Sequence, residues 1–240
     1  GMIAVDGRDC LFVAVVLPGE DVKENVIRDT IVSAHSGNKE YVSSKFVECT
    51  EAENGALQKI EFKNEDKFNF AFDIVDEIAK KAPEKLAMLH IDKHKVERRF
   101  TFNDMKRASN QCANYFKSLG IKKGDRVMLV LKRHYQFWYA ILALHKLGAV
   151  AIPATNLLQE HDFDYRFNAA EVSAIVCTAD GDVAHQVDLA EPASPTLKTK
   201  ILVGGEREGW HNFDEEFPLF SAHFYRTEDT ACGNDLMLMF

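Results

Sequence analysis

Few residues of this 240-residue chain stand in patterns that do chemistry. The only dense glycine cluster is VGGEREG at 203–209. It follows an apolar run, and its backbone N–H groups could cradle a phosphate. No long helical pattern comes after it, which favours the other reading, a tight surface turn with charged residues at its tip. His161, Asp162 and Asp164 are of types that ligate metals, yet polar residues so close together at a helix start equally serve the helix N-terminus. His145 lies on an apolar helical face, the usual place of a satisfied core histidine. Trp138, with Phe137 and Tyr139, reads as core rather than as a stacking platform. The patterns GxSxG, HExxH, GxGxxG and GxxxxGK[ST] are absent from the sequence. What remains is GAVAIPATNLLQEHDFDYRF, residues 148–167, where a short apolar strand stops at Pro153-Ala154-Thr155. Open α/β sheets hold ligands at such strand ends.

The elements that must position this stretch alternate between two periods. Phe72, Val75, Ile78 and Ala79 form a helical stripe closed by Pro83. KLAMLHI reads as a strand. FTFNDMKRASNQCANYFKSLG opens with Thr101 and Asp104, a variant of the capping box, and closes on Gly120. Met105, Ala108, Cys112, Tyr115 and Leu119 mark one face of that helix. Val127 to Leu131 are five consecutive apolar residues, the mark of a strand covered on both faces. A helix over about 135–147 ends at Gly148, and AVAIP follows as a strand. Helices near 162–170 and 183–189 then alternate with strands SAIVCT and KILVG, before a short helix in GWHNFDEEF and the apolar DLMLMF. Such alternation predicts an α/β fold, a parallel sheet layered with helices.

Residues 2–62 follow a different pattern. CLFVAVVLP reads as a strand, EDVKENVIRDTIVSAH as a helix, and SSKFVEC and LQKIEF as two strands around Asn54-Gly55. This is a small βαββ unit, too small for a large core of its own. The boundary falls in KNEDKFN, so the expected domains are 2–62 and 63–240.

Composition narrows the function classes. Asp and Glu number 37 against 29 Lys and Arg, for a net charge of −8. Nucleic acid or an anionic membrane would need a local basic patch against that background. The candidates, Lys93–Arg99 and Lys117–Lys123, are short and lack interleaved aromatics, and read as solvated loops; no nucleic-acid partner is expected. The five cysteines are odd in number, spread out and never in a CxxC pair. They predict a reducing compartment, the cytoplasm, rather than a disulfide framework or zinc site. No apolar run approaches the roughly 20 residues of a membrane span, and the opening residues carry no signal-peptide pattern.

From about Phe68 to Phe240 the sequence resembles the N-terminal part of the adenylate-forming (AMP-binding) acyl-CoA synthetases, of the acetyl and medium-chain type. The match rests on FTFNDMKRASNQCANYFKSLGIKKGDRVMLVL, on FWYAILALHKLGAVAIPAT with its helix-Gly-Ala-strand-Pro signature, and on DYRFNAAEVSAIVC. Members of the family join a carboxylate to ATP as an acyl-adenylate, then transfer the acyl group to the thiol of CoA. The resemblance implies that Thr155, Asn156 and Leu157 line the channel by which CoA approaches. Some medium-chain relatives have glutamine where this chain has Leu157, and Arg166 reads as holding its helix against the sheet.

In the family, the strand matching DLMLMF runs into the Ser/Thr/Gly-rich loop that binds the ATP phosphates. That loop, the Mg²⁺ ligand and the catalytic lysine have no counterpart within these 240 residues. The expectation is therefore part of an ATP-dependent acyl-CoA synthetase, inactive alone. No catalytic or metal residue is assigned to it, and no cofactor is expected on these residues by themselves. ATP, Mg and CoA serve the complete enzyme, with a carboxylic acid and CoA as its partners. The competing reading is a non-catalytic binding or interaction module derived from that fold. An apolar strand at 235–240 with an unpaired edge would favour a homo-oligomer. Residues 10–62 loosely resemble the end of the small C-terminal domain of the same enzymes, with Asn54-Gly55-Ala56 where the family has Gly-Lys; an unrelated N-terminal extension is the alternative.

Overall fold

The computed structural model describes residues 42–227, apart from Gly55, Asn64, Glu65 and Lys93. The strand expected at 10–18, the helix expected at 20–35 and the strand expected at 235–240 lie outside the described residues. The chain divides into two units, with residues up to 68 and 72–106 in the first, and 69–71 and 107 onward in the second.

In the first unit, a 3-10 turn over Val42–Lys45 precedes strand β1 (Val47–Glu51), which pairs antiparallel with β2 (Leu57–Phe62). The expected strand thus begins later than the sequence suggests. Between them, Asn54 Oδ1 accepts the Ala56 N–H at 3.0 Å, the local bonding that suits Asn to turns. The register sets Val47 opposite Phe62 and Cys49 opposite Ile60 on one face, with Glu48–Glu61 and Thr50–Lys59 on the other. Every residue of β2 is exposed.

Ala71–Asp76 forms π-helical turns that lead into α1 (Glu77–Lys81), which ends at Ala82 just before Pro83. Phe72, Val75, Ile78 and Ala79 are buried, as their spacing predicts. β3 (Leu86–Ile91) pairs antiparallel with β4 (Glu97–Thr101), a strand that its Glu-Arg-Arg sequence conceals. Helix α2 (Phe102–Ser118) starts where Thr101 Oγ1 accepts the Asp104 N–H at 3.1 Å. The Asp104 carboxylate accepts the Thr101 N–H in return at 2.8 Å. Gly120 ends the helix with φ 85°, the left-handed conformation that glycine adopts without strain.

The second unit is built on a five-stranded parallel sheet. Its elements are β5 (Arg126–Val130), α3 (Gln136–Leu147), β6 (Val150–Pro153), α4 (Glu160–Ala169), β7 (Ala174–Thr178), α5 (Val183–Ala190), β8 (Thr199–Val203), β9 (His211–Asn212) and α6 (Phe213–Glu216). The strand order is β6-β5-β7-β8-β9. Because β5 pairs on both sides, Val127 to Leu131 are all at most 1% exposed. Phe163 and Phe167 of α4 and Val183 and Val187 of α5 pack with Met128, Val130, Ile152, Ile175 and Cys177 in one apolar layer. The connection from β5 runs to one side and that from β7 to the other, so the sheet's switch point lies at the carboxyl ends of those two strands.

Helix α2 also fixes the segment after α6. Asn110, Gln111 and Asn114 donate from their side-chain amides to the main-chain oxygens of Pro218, Phe220, Ser221, Ala222 and His223 at 2.8–3.1 Å. Tyr115 lies in ring contact with Phe213 and Phe220 beside them. Among the described residues, no helix is long and apolar enough to cross a membrane.

Candidate functional site

At the switch point itself a histidine reaches across between the two strands. The chain turns after β5, with the His134 N–H donating to the Leu131 carbonyl at 2.8 Å. This swings the imidazole across to β7, where Nε2 hydrogen-bonds Thr178 Oγ1 at 2.7 Å, with Asp180 Oδ2 at 3.3 Å. A cavity lies one strand over, at the carboxyl ends of β5 and β6.

That cavity has a volume of about 240 Å³ and is lined by Leu129, Leu131, Lys132, Arg133, Phe137, Ala154, Thr155 and Asn156. Its two walls are held in register because parallel pairing continues past β6, the Ala154 N–H donating to the Leu129 carbonyl at 2.9 Å. The lining combines apolar side chains with Thr155 and Asn156 as hydrogen-bonding groups. Two cations, Lys132 and Arg133, join them, and no carboxylate is part of the lining. On a chain of net charge −8, the Lys132 ammonium at this cavity favours an anion. Small-molecule sites are typically about 300–1,000 Å³; a cavity of this size takes one end of a ligand rather than the whole. Lys132 sits at φ 50°, a left-handed conformation uncommon for a residue with a side chain. Such strain collects where a backbone is held for function.

Thr155 and Asn156, expected at a ligand channel, therefore line the cavity. Leu157 does not; it is 75% exposed, and its N–H reaches back to Thr155 Oγ1 at 3.4 Å. The sequence reading missed Lys132, Arg133 and Phe137. Their only sequence signal was that they follow a buried strand, and their convergence with residues 154–156 depends on which strand lies beside β5.

The other candidates resolve into structure. At 203–209, the Gly204 N–H already donates to the Asp214 carboxylate at 2.8 Å, an acceptor that would repel phosphate. Arg207 is bonded to Asp188 at 2.6 Å. Burial works to raise the Asp188 pKa, but hydrogen bonds from Lys200, Arg207 and Trp210 outweigh it and hold the carboxyl below its usual range. The segment is a pinned surface turn. The Asp162 carboxylate accepts the Gln159 N–H at 3.1 Å, the bond that does most to lower its pKa, so it caps α4. Arg166 folds back onto Asp162, at 3.1 Å from its carbonyl, rather than holding the helix to the sheet.

His145 departs from expectation in a different way. It is enclosed, but neither ring nitrogen has a hydrogen-bond partner among the described residues. Burial pulls its pKa down from 6.5 to about 4, so the ring is neutral. Trp138 is only partly buried, its ring edge-on to Phe137 at 5.2 Å, so it is not the core residue its spacing suggests.

Comparison with known proteins adds an independent line. The model of the AMP-binding enzyme family matches residues 75–239. The chain is 36% identical over 155 residues to the mitochondrial acyl-coenzyme A synthetase ACSM5 of Rattus norvegicus, covering 62% of this chain and 26% of that one. To the mitochondrial acyl-coenzyme A synthetase ACSM2 of the same species it is 34% identical over 154 residues, covering 61% and 27%. The chain thus spans about a quarter of the length of the curated relatives it matches. Its fold is similar to that of a long-chain-fatty-acid-CoA ligase, FadD1, from Archaeoglobus fulgidus (TM-score 0.63, 18% identity, 72% of this chain and 34% of that one). It is also similar to a Mycobacterium tuberculosis fatty acyl CoA synthetase (TM-score 0.59, 22% identity, 71% and 32%).

Proposed function

This chain belongs to the AMP-binding enzyme family, and on that premise we propose that it works as part of an ATP-dependent acyl-CoA synthetase, supplying one wall of the passage for CoA. In that reaction a carboxylate oxygen attacks the α-phosphorus of ATP and pyrophosphate leaves. The CoA sulfur then attacks the acyl carbon, and AMP leaves with the bonding electrons. The carboxylate is a poor electrophile, and conversion to a mixed anhydride divides one difficult substitution into two easier ones.

The observation that carries the reading is the cavity at the ends of β5 and β6, whose lining brings Lys132 and Arg133 together with Leu129, Leu131, Phe137, Thr155 and Asn156. It suits a ligand with a negatively charged group and an apolar stem. Thr155 and Asn156 orient such a ligand, and the exposed Leu157 lies outside the cavity lining. None of the described residues is assigned to the adenylation step. Among the described residues there is no group of three or more His, Cys, Asp or Glu that could hold a metal ion.

The test separates the two half-reactions in the gene's full product. ATP–pyrophosphate exchange with a carboxylic acid reports adenylation, and thioester formation reports the use of CoA. Lys132→Ala should leave exchange unchanged and raise the KM for CoA by about two- to fivefold, the worth of an exposed ion pair. A full product without carboxylate-dependent exchange overturns the ligase assignment. An equal fall in both half-reactions overturns the placement of CoA.

A further inference from the structure

The β1–β2 hairpin presents a solvated apolar face: Val47 and Cys49 on one strand lie opposite Phe62 and Ile60 on the other. Phe62 is 64% exposed, Ile60 45%, and Cys49 is exposed. The opposite face is charged, with Glu48, Lys59 and Glu61, so the ribbon is amphipathic. A two-stranded hairpin is marginal in water unless something packs on its apolar side.

We propose that residues 10–35 of the same chain cover this face, laying the stripe Val22, Val26, Ile27 and Ile31 over Val47, Cys49, Ile60 and Phe62. The need is mutual. The sequence pattern of residues 20–35 is that of an amphipathic helix, which is itself marginal without an apolar surface to pack on, and the run CLFVAVVLP reads as a strand, which needs a partner edge for its backbone groups. Only residues 36–41 separate His35 from Val42. So short a tether holds the segment at an effective concentration on the order of millimolar, which a second copy or a foreign partner must exceed. The arrangement makes residues 2–62 a βαββ unit, in keeping with the pattern of the sequence.

Cys49 is a built-in reporter. The full 240-residue chain is exposed to a thiol-alkylating reagent, and the modification of each cysteine is followed by peptide-resolved mass spectrometry. Cys112 and Cys177, both fully buried, report the integrity of the second unit and should stay unmodified. Cys49 should react at least about tenfold more slowly than in a free peptide of residues 47–51, a ratio that corresponds to about 1.4 kcal/mol of covering. The double variant Val26→Asp/Ile31→Asp should restore the fast rate, with Cys112 and Cys177 still silent. A wild-type Cys49 as reactive as the peptide overturns the proposal. Protection that survives the double variant overturns it too, because another element would then be the cover. Protection that fades on dilution assigns the face to a second copy, which also refutes it.

Discussion

Replacing His145 with leucine should make the second unit more stable, and the gain should grow as the pH falls. The ring sits near the carboxyl end of α3 with both nitrogens enclosed and without partners among the described residues. At neutral pH an unsatisfied buried polar group costs about 1–3 kcal/mol, and leucine of similar volume removes it. The pH dependence has a definite sign. The folded-state pKa, about 4, lies below the ordinary 6.5. Between those values the unfolded chain binds the proton and the folded chain does not, so stability is lost as the pH drops through this window. The whole gap corresponds to about 3 kcal/mol, at 1.36 kcal/mol per tenfold change in proton affinity. Attraction between an imidazolium and the helix carboxyl end, about 0.3–1 kcal/mol, is too small to cancel it. Both tryptophans, Trp138 and Trp210, lie in this unit, so urea unfolding followed by intrinsic fluorescence reads the right part of the molecule. Wild-type and His145→Leu curves of stability against pH should diverge from pH 6.5 downward. Parallel curves down to pH 4, or a variant less stable at pH 7, would refute the reasoning.

Three further outcomes are expected. Lys132→Gly relieves the left-handed backbone at φ 50° and should raise stability by about 1 kcal/mol; a midpoint that falls would show that the conformation is unstrained. Gly205→Ala places a methyl group 2.9 Å from the Ala179 Cβ and should cost about 1–3 kcal/mol in overpacking, read as a lower unfolding midpoint, whereas an unchanged midpoint would mean that the turn can move aside. Thr101→Ala deletes the acceptor for the Asp104 N–H and should cost about 0.5–2 kcal/mol, with faster amide exchange in the first turn of α2; unaltered exchange there would count against the cap.

Local chemistry was legible in the sequence and lateral arrangement was not. The five apolar residues Val127 to Leu131 announced burial on both faces because only a central strand loses water from both sides at once. Thr101, Asp104 and Gly148 marked helix ends because each satisfies or relieves a group within a few residues. β4 escaped notice because Glu97, Arg98 and Arg99 carry no apolar alternation. The start of α4 was read two residues late, since Gln159 is an unusual residue to stand before a helix. The end of β6 could be recognised as an open edge, and with it Thr155 and Asn156 as residues that line a cavity. Lys132, Arg133 and Phe137 could not be, because they join the cavity through the pairing of β5 with β6, a contact between strands separated by a whole helix. His145 was placed correctly inside, but whether a buried ring finds partners depends on neighbours from other elements.

The amide row on α2 has a consequence for how this protein can vary. All five bonds from Asn110, Gln111 and Asn114 end on main-chain oxygens, and none ends on a side chain of the segment 218–223. Every residue type offers the same carbonyl, so most single replacements in Pro218–His223 leave the docking intact. Inserting or removing one residue shifts the whole row of acceptors against fixed donors and breaks the five bonds together. This stretch should therefore accept new letters readily while keeping its length.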